Sequence, residues 1–197
     1  MADERRPLRL GFLASHGGTN VQAILDACED GRLAATPCVV ISNNSDSGAL
    51  KRAKRESVPA YHLSQRTHPS ADDLERAILN VLREHRVNLV VLAGYMRKLG
   101  SLVLERYPGR VLNIHPALLP KFGGKGMYGA AVHEAVLASG ETETGVTVHV
   151  VDDRYDHGPI VAQSRVTVLP GDDVDQLSRR VLEREHEIFV ETLQGIE

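Results

Sequence analysis

The sequence predicts an α/β fold: a single doubly wound, mostly parallel sheet with antiparallel strands near its carboxyl end and a C-terminal helix. Apolar strand-like runs alternate with helical repeats along most of the 197 residues, a pattern typical of parallel sheets covered by helices. The run at 89–93 is apolar throughout, as expected of a strand buried on both faces. A polar turn at 152–159 separates the last two predicted strands, which indicates a hairpin.

Composition and charge favour small-molecule chemistry. Hydrophobic residues make up 42% of the chain and charged residues 25%, so we expect one globular domain over residues 1–197. The net charge of −3 offers no general attraction to nucleic acid or to an anionic membrane. Residues 1–7 are mostly charged and no segment reaches membrane-spanning length, so we expect a cytoplasmic protein. Cys28 and Cys38 are expected to be reduced core thiols.

The predicted elements follow from hydrophobic periodicity, taken in order along the chain. Strands are expected at 8–15, 37–42, 60–63, 89–93, 111–115, 144–151 and 160–169. Helices are expected to begin near 20, to span 48–56, to begin after 70, to end near 138 and to span 173–193. Ser70 and Asp73 form a plausible capping pair at the start of the third helix.

A glycine-containing turn, S-H-G-G-T-N at 15–20, joins the first strand to the first helix. Free N–H groups at a helix start suit a phosphate, and glycine allows close approach. The same residues also fit an ordinary tight turn in which Asn20 caps the helix. A dinucleotide site is disfavoured, because the turn lacks G-x-G-x-x-G and the second strand ends in S-N-N at 42–44 instead of an acid. A lipase is disfavoured because G-x-S-x-G is absent.

The candidate reaction centre is the N-I-H-P sequence at 113–116, where a hydrophobic strand ends. Asn113 and His115 point to the same face because side chains alternate along a strand. Open α/β sheets bind ligands beyond the carboxyl ends of their strands. The loop at 94–99 opens at the same edge and could hold a flat heterocycle against its Met and Leu residues, although the sequence alone favours ordinary loop anchoring.

Two acidic residues are candidate partners of this centre. If Asp156 faces His115, its carboxylate raises the pKa of the imidazole and keeps it protonated near neutral pH; otherwise the acidic turn is simply solvated. Glu185 falls among apolar residues on one line of the last helix, where an acid needs a partner. That partner is either a lysine or arginine of the protein or an amine-bearing substrate. The line is formed by Val174, Val181, Ile188 and Thr192.

Two further features receive no catalytic role from the sequence. His149 shares a strand face with Thr147 and is interpreted as a structural histidine. The 121–129 segment contains four glycines and Lys125, but it lacks the spacing of a nucleotide triphosphate loop. We therefore expect a mobile loop.

Together these motifs resemble those of the glycinamide ribonucleotide formyltransferases of purine synthesis, across nearly the whole chain. An N-x-H-P-x-L-L-P run followed about forty residues later by D-x-G-P is specific to the formyltransferase superfamily. The matching segments are 15–20, 92–97, 112–120, 145–149 and 156–159. The resemblance implies a Rossmann-like formyltransferase fold. It also implies formyl transfer from 10-formyltetrahydrofolate to the primary amine of glycinamide ribonucleotide, without a metal.

The resemblance also implies roles for individual residues. The catalytic residues would be Asn113, His115 and Asp156. Ribotide binding would fall to Gly18, Thr19, Asn20, Pro116 and Glu185. Folate binding would fall to Met96, Arg97, Lys98, Leu99, Asn113, Asp152, Asp153, Arg154, Tyr155 and Asp156. Many relatives carry a folate-binding arginine where this chain has T-H-P-S-A at 67–71. The expected partners are small molecules alone, with no nucleic acid or membrane, and the protein is expected to be a monomer or homodimer.

Three alternatives are weaker. Methionyl-tRNA formyltransferase resembles this chain at the catalytic signature, but it would need a C-terminal RNA-binding domain beyond residue 197. Formyltetrahydrofolate hydrolase would need an added N-terminal domain, and only seven residues precede the first predicted strand. A non-catalytic folate- or nucleotide-binding module would have no use for Asn113, His115 and Asp156 together.

Overall fold

The computed structural model describes residues 7–196; the charged start of the chain, residues 1–6, lies outside the described residues. The strands are β1 (Leu8–Ala14), β2 (Ala35–Ser42), β3 (Ala60–His62), β4 (Leu89–Leu92), β5 (Val111–His115), β6 (Glu143–Val150) and β7 (Ile160–Thr167). The helices are α1 (Thr19–Glu29), α2 (Gly48–Arg55), α3 (Ala71–Glu84), α4 (Ser101–Arg106), α5 (Ala130–Ala138) and α6 (Val174–Gln194).

The strands form one seven-stranded sheet in the order β3-β2-β1-β4-β5-β6-β7. Strands β1 to β5 pair in parallel, and β6 and β7 join as antiparallel strands. The predicted fold class is confirmed, including the C-terminal helix. The strand order reverses between β1 and β4, and such a switch point opens a crevice at the carboxyl ends of the strands.

Hydrophobic cores cover both faces of the sheet. One core packs α1, α5 and α6 residues such as Ile24, Val136 and Phe189 against the sheet, and the other packs Leu82 and Val103 of α3 and α4. Burial on both faces explains why the residues of β4 form a continuous apolar run. None of the helices within residues 7–196 combines the length and apolar character needed to cross a membrane.

The predicted cap at the start of α3 is present, and a second side-chain cap begins α6. Ser70 Oγ accepts a hydrogen bond from the Asp73 N–H at 3.4 Å, as expected for α3. Asp173 caps α6 and forms a reciprocal pair with Gln176, which satisfies two N–H groups at the helix start. Helix α4 was not predicted, because a six-residue helix is too short to show a clear apolar period. Its first turn is held by the Glu75 carboxylate, which accepts from the Leu102 N–H at 2.5 Å.

The cysteines are both free thiols. Cys38 is buried in β2, as expected, whereas Cys28 is only half-buried in α1. Burial, aided by the charge of Asp30, raises the pKa of Cys28 to about 11. Both residues therefore behave as packing groups, because reactivity requires the thiolate.

Candidate active site

Strand β5 delivers Asn113 and His115 to a cavity at the carboxyl edge of the sheet. The cavity has a volume of about 640 Å³ and is lined by both side chains and by Pro116. This volume is typical of sites that bind small molecules. His115 is only 3% exposed, so any charge that it carries is felt strongly by its neighbours.

His149 is a site residue that the sequence did not reveal. The antiparallel pairing of β5 with β6 places His149 directly opposite Asn113. Its Nδ1–H donates to the Val150 carbonyl oxygen at 2.9 Å, because a carbonyl oxygen only accepts. In the neutral ring Nε2 is then an acceptor, and Asn113 Nδ2 donates to it at 3.1 Å. His149 thereby orients the amide of Asn113.

Asp156 reaches both histidines. Its carboxylate oxygens lie 3.6 Å from His115 Nδ1 and 3.6 Å from His149 Nε2. One of the oxygens, Oδ2, also accepts a hydrogen bond from the Gly124 N–H at 2.9 Å. The acidic turn is therefore not simply solvated: it brings a half-buried carboxylate to the reaction centre.

The protonation expected for His115 differs from what its surroundings favour. Burial lowers the pKa of His115, and this effect outweighs Asp156 and the Phe122 carbonyl, which both raise it. The expectation that Asp156 keeps His115 protonated near neutral pH is therefore wrong for this structure. Burial raises the pKa of Asp156, but His149, His115 and the Gly124 N–H together bring it below the usual value. The arrangement is a neutral imidazole beside an ionised carboxylate.

The 121–129 loop, expected only to be mobile, lies against this centre. The His115 Nε2–H donates to the Phe122 carbonyl oxygen at 2.8 Å. Lys125 and Tyr128 line the cavity from the same loop. No local motif signals these contacts, because they depend on where the loop folds back rather than on its own residues.

The S-H-G-G-T-N turn delivers a single side chain to the cavity. Asn20 lines it, whereas Gly18 and Thr19 do not. Gly18 is the N-cap of α1 with a φ of 70°, and no side chain caps this helix. The alternative in which Asn20 caps α1 is therefore wrong, since Asn20 lies inside the first turn of the helix.

Glu185 is buried on the inner line of α6, as the periodicity predicts, and is 8% exposed. Its Oε2 accepts a hydrogen bond from Asn20 Nδ2 at 2.6 Å. No lysine or arginine within residues 7–196 pairs with it, so that alternative is wrong for the described residues. Burial raises the pKa of Glu185 to about 7, although the Asn20 hydrogen bond opposes this shift. Asn20 Oδ1 is also buried and has no hydrogen-bond partner in the described chain.

The segments expected to bind folate also line the cavity. From the loop after β4 these are Met96, Arg97, Lys98 and Leu99, and from the 152–156 turn they are Asp152, Arg154, Tyr155 and Asp156. Asp153 does not line the cavity. Residues 97–99 also line a second cavity of about 460 Å³, which Arg66 borders.

His133 of α5 is a second cavity residue that the sequence did not single out. It is 5% exposed, lines the cavity, and its Nδ1 has no hydrogen-bond partner within residues 7–196. Burial lowers its pKa, so the ring is neutral near pH 7. In the same part of the chain, no three histidine, cysteine or acidic residues are grouped closely enough to hold a metal ion.

Comparison with known proteins identifies the family. A family model described as formyl transferase matches residues 8–193. The chain belongs to the formyl transferase family. A crystal structure of glycinamide ribonucleotide transformylase 1 from Symbiobacterium toebii superposes on this formyl transferase with a TM-score of 0.91 and 40% identity. The match covers 98% of this chain and 92% of that one.

Sequence relatives of this formyl transferase carry the same type of name. The chloroplastic phosphoribosylglycinamide formyltransferase of Arabidopsis thaliana is 39% identical over 194 residues, which is 98% of this chain but 66% of the relative's length. The phosphoribosylglycinamide formyltransferase of Escherichia coli K12 is 37% identical over 182 residues, covering 92% of this chain and 84% of that protein. The chain thus spans slightly less than two thirds of the plant protein and most of the bacterial one.

Proposed function

We propose that this formyl transferase moves a formyl group from 10-formyltetrahydrofolate to the primary amine of phosphoribosylglycinamide, a step of purine biosynthesis. The observation that carries the proposal is the linked group formed by Asn113, His115, His149 and Asp156 at the edge of the cavity. Its contacts of 3.1 to 3.6 Å join a hydrogen-bond donor to a pair of groups that exchange protons. An acyl transfer to an amine requires both.

Asn113 stabilises the negative charge that develops on the formyl oxygen when the amine attacks. One N–H of its amide is engaged by His149 at 3.1 Å, so the orientation of the amide is held and its second N–H is available. A donor placed in advance at such an oxygen is worth about 3 kcal/mol, on the order of a hundredfold in rate.

His115 and Asp156 move the proton. Nδ1 of the neutral ring faces the Asp156 carboxylate at 3.6 Å, so the pair accepts the proton that the attacking amine loses. The resulting imidazolium stabilises the oxyanion, and the developing negative charge in turn favours the charged ring. The pair then gives a proton to the folate nitrogen as the bond from that nitrogen to the formyl carbon breaks. No net proton is gained or lost.

Different lining residues of the cavity suit the two substrates. Glu185 and Asn20 offer buried oxygen acceptors to N–H or O–H groups of the ribotide. Gly18 and Thr19 precede Asn20 in the chain, and Pro116 lines the same cavity. Met96 and Leu99 supply apolar contacts and the 152–156 turn supplies polar groups. Together they fit a flat pterin. We further propose one domain over 1–197, a cytoplasmic monomer or homodimer, with no metal, nucleic acid or membrane partner; these points rest on the sequence.

The test is an assay of formyl transfer with both substrates, following loss of 10-formyltetrahydrofolate and appearance of the formylated ribotide. His115→Ala and Asp156→Asn are the inactive controls. Absence of transfer by the wild-type protein, when calorimetry shows that both ligands bind, would overturn the proposal. Loss of the formyl group without any amine substrate would instead indicate a hydrolase.

A further inference from the structure

We propose that the 121–129 loop sets the proton chemistry of the site, with Phe122 and Gly124 acting as positioning residues through their backbone atoms. The inference rests on the proposed function, because it concerns the same His115 and Asp156. The loop contacts His115 and Asp156 through backbone atoms, which no sequence motif marks. It contacts them through one carbonyl oxygen and one N–H.

The first contact selects the tautomer of His115. Its Nε2 lies 2.8 Å from the Phe122 carbonyl oxygen, and a carbonyl oxygen only accepts hydrogen bonds. The neutral ring therefore carries its proton on Nε2. Its lone pair is on Nδ1, the atom that faces Asp156 Oδ2 at 3.6 Å. The loop thus makes Nδ1 the atom that takes up and releases the transferred proton.

The second contact orients the carboxylate. The Gly124 N–H donates to Asp156 Oδ2 at 2.9 Å, which is the same oxygen that faces His115. Two residues of one loop, separated only by Gly123, therefore hold the two members of the proton-transferring pair. A shift of the loop would move both members together.

The backbone is shaped for these contacts. Phe122 and Asp156 have φ values of 54° and 52°, in the left-handed region that non-glycine residues seldom occupy. Such conformations persist where surrounding contacts hold them, and they are found preferentially at functional sites. A Cβ on Gly123 would lie 2.5 Å from Leu119 Cδ2 and 3.3 Å from Asp156 Cβ. Glycine lets the loop approach Asp156 this closely without displacing either side chain.

The loop contains its own control. Gly124 and Gly126 have φ values of 98° and 91°, and a Cβ on either would meet nothing within 4 Å. Alanine therefore imposes a similar backbone penalty at both positions, but of the two only Gly124 donates to Asp156. Gly123 differs again, because its φ is not positive and its substitution acts by displacing Leu119 and Asp156.

The test uses Gly123→Ala, Gly124→Ala and Gly126→Ala in the full chain. Imidazole ¹⁵N spectra report which nitrogen of His115 is protonated, with His115→Gln identifying its signals. We expect the Nε2–H form in the wild type and in Gly126→Ala, and a mixture of both forms in Gly123→Ala. Gly124→Ala is expected to show a displaced titration of His115. Denaturation curves establish that each variant is folded.

Kinetics give the second readout. We expect kcat to fall about tenfold in Gly123→Ala, with a shifted pH profile and nearly unchanged KM for the ribotide, whereas Gly126→Ala keeps the wild-type pH profile. Identical tautomers and pH profiles in all three variants would overturn the inference. If the wild type transfers no formyl group, the proposed function fails, while the ¹⁵N spectra still decide whether the loop sets the tautomer.

Discussion

Two glycine-rich loops at the same edge of the sheet have opposite relations to the site. The 15–20 loop packs against the start of α2, where a Cβ on Gly18 would lie 2.5 Å from Ala49 Cα. It sends only Asn20 into the cavity. The 121–129 loop packs against the reaction centre itself, through Phe122 and Gly124. The sequence suggested a ligand role for the first loop and none for the second.

Glycine therefore indicates a close approach between two segments but not which segment is approached. In the first loop the neighbour is another helix, and in the second the neighbours are the side chains of Leu119 and Asp156. A substitution in the first loop should therefore act mainly on folding, and one at the reaction centre mainly on rate. Substitutions in the two loops distinguish the two effects.

The largest effect on the rate is expected at His115, which the second loop contacts through the Phe122 carbonyl oxygen. Replacing His115 by alanine removes the proton-transferring ring, and kcat/KM for formyl transfer should fall by about a hundredfold to a thousandfold. Steady-state assays at saturating folate measure the loss. The free energy of unfolding is the control, and a loss of less than about tenfold in a folded variant would contradict the assignment.

In the first loop, Gly18→Ala should destabilise the protein by about 2 to 4 kcal/mol. The alanine would need the left-handed conformation that Gly18 adopts at a φ of 70° and would clash with the backbone of Ala49. Urea denaturation measures the change. Gly17→Ala is the matched control, since a Cβ there meets nothing within 4 Å; equal destabilisation by both substitutions would refute the packing argument.

Glu185, the partner of the one side chain that the first loop contributes, should make stability depend on pH. Its folded pKa of about 7 lies above the ordinary value of 4.5, so the folded state binds the proton more tightly. Its contribution is fully present below about pH 4.5 and is lost as pH rises through about 7, a change of about 3 kcal/mol.

Glu185→Gln cannot ionise and should remove this dependence, so that the variant is more stable than wild type at about pH 8.5 by about 1 to 3 kcal/mol. Urea denaturation at about pH 5 and 8.5 measures both proteins. A wild type and variant with parallel pH dependence would show that Glu185 titrates normally.

The smallest effect is expected from Arg52, which supports the first loop from outside. Its Nε donates to the Gly17 carbonyl oxygen at 2.9 Å on the exposed surface. Arg52→Ala should cost about 0.5 to 1 kcal/mol in the free energy of unfolding, with kcat unchanged. Lys54→Ala, on the same helix, is the control with no expected change. A large loss of kcat in Arg52→Ala would break the separation between the two loops.

The features that the sequence predicted are those encoded by short-range patterns. Period-two and helical repeats were sufficient for the sheet, for the cap at Ser70 and for the inner position of Glu185. The alternation along β5 placed Asn113 and His115 on one face. Helix α4 was missed because six residues carry little periodic signal and its start depends on Glu75, which is distant in sequence.

The rest of the site depends on long-range contacts. His149 joins Asn113 only through the register of β5 with β6, which the spacing of residues along one strand does not contain. Phe122 meets His115 because of how the loop folds back. The protonation of His115 was misjudged because the sequence shows a nearby carboxylate but not the burial that outweighs it.

The hydrogen bond from His149 to the Val150 carbonyl oxygen also fixes which way the Asn113 amide faces. Because His149 Nδ1–H is held by Val150 O, Nε2 of the neutral ring accepts, and turning the Asn113 amide would place its oxygen against another acceptor. A ligand atom that meets the remaining Asn113 N–H must therefore be an acceptor. A carbonyl oxygen satisfies this condition, whereas a protonated iminium nitrogen, which carries only N–H donors, does not. The backbone of β6 thus restricts the one-carbon groups that suit the site to those with a hydrogen-bond acceptor at this position.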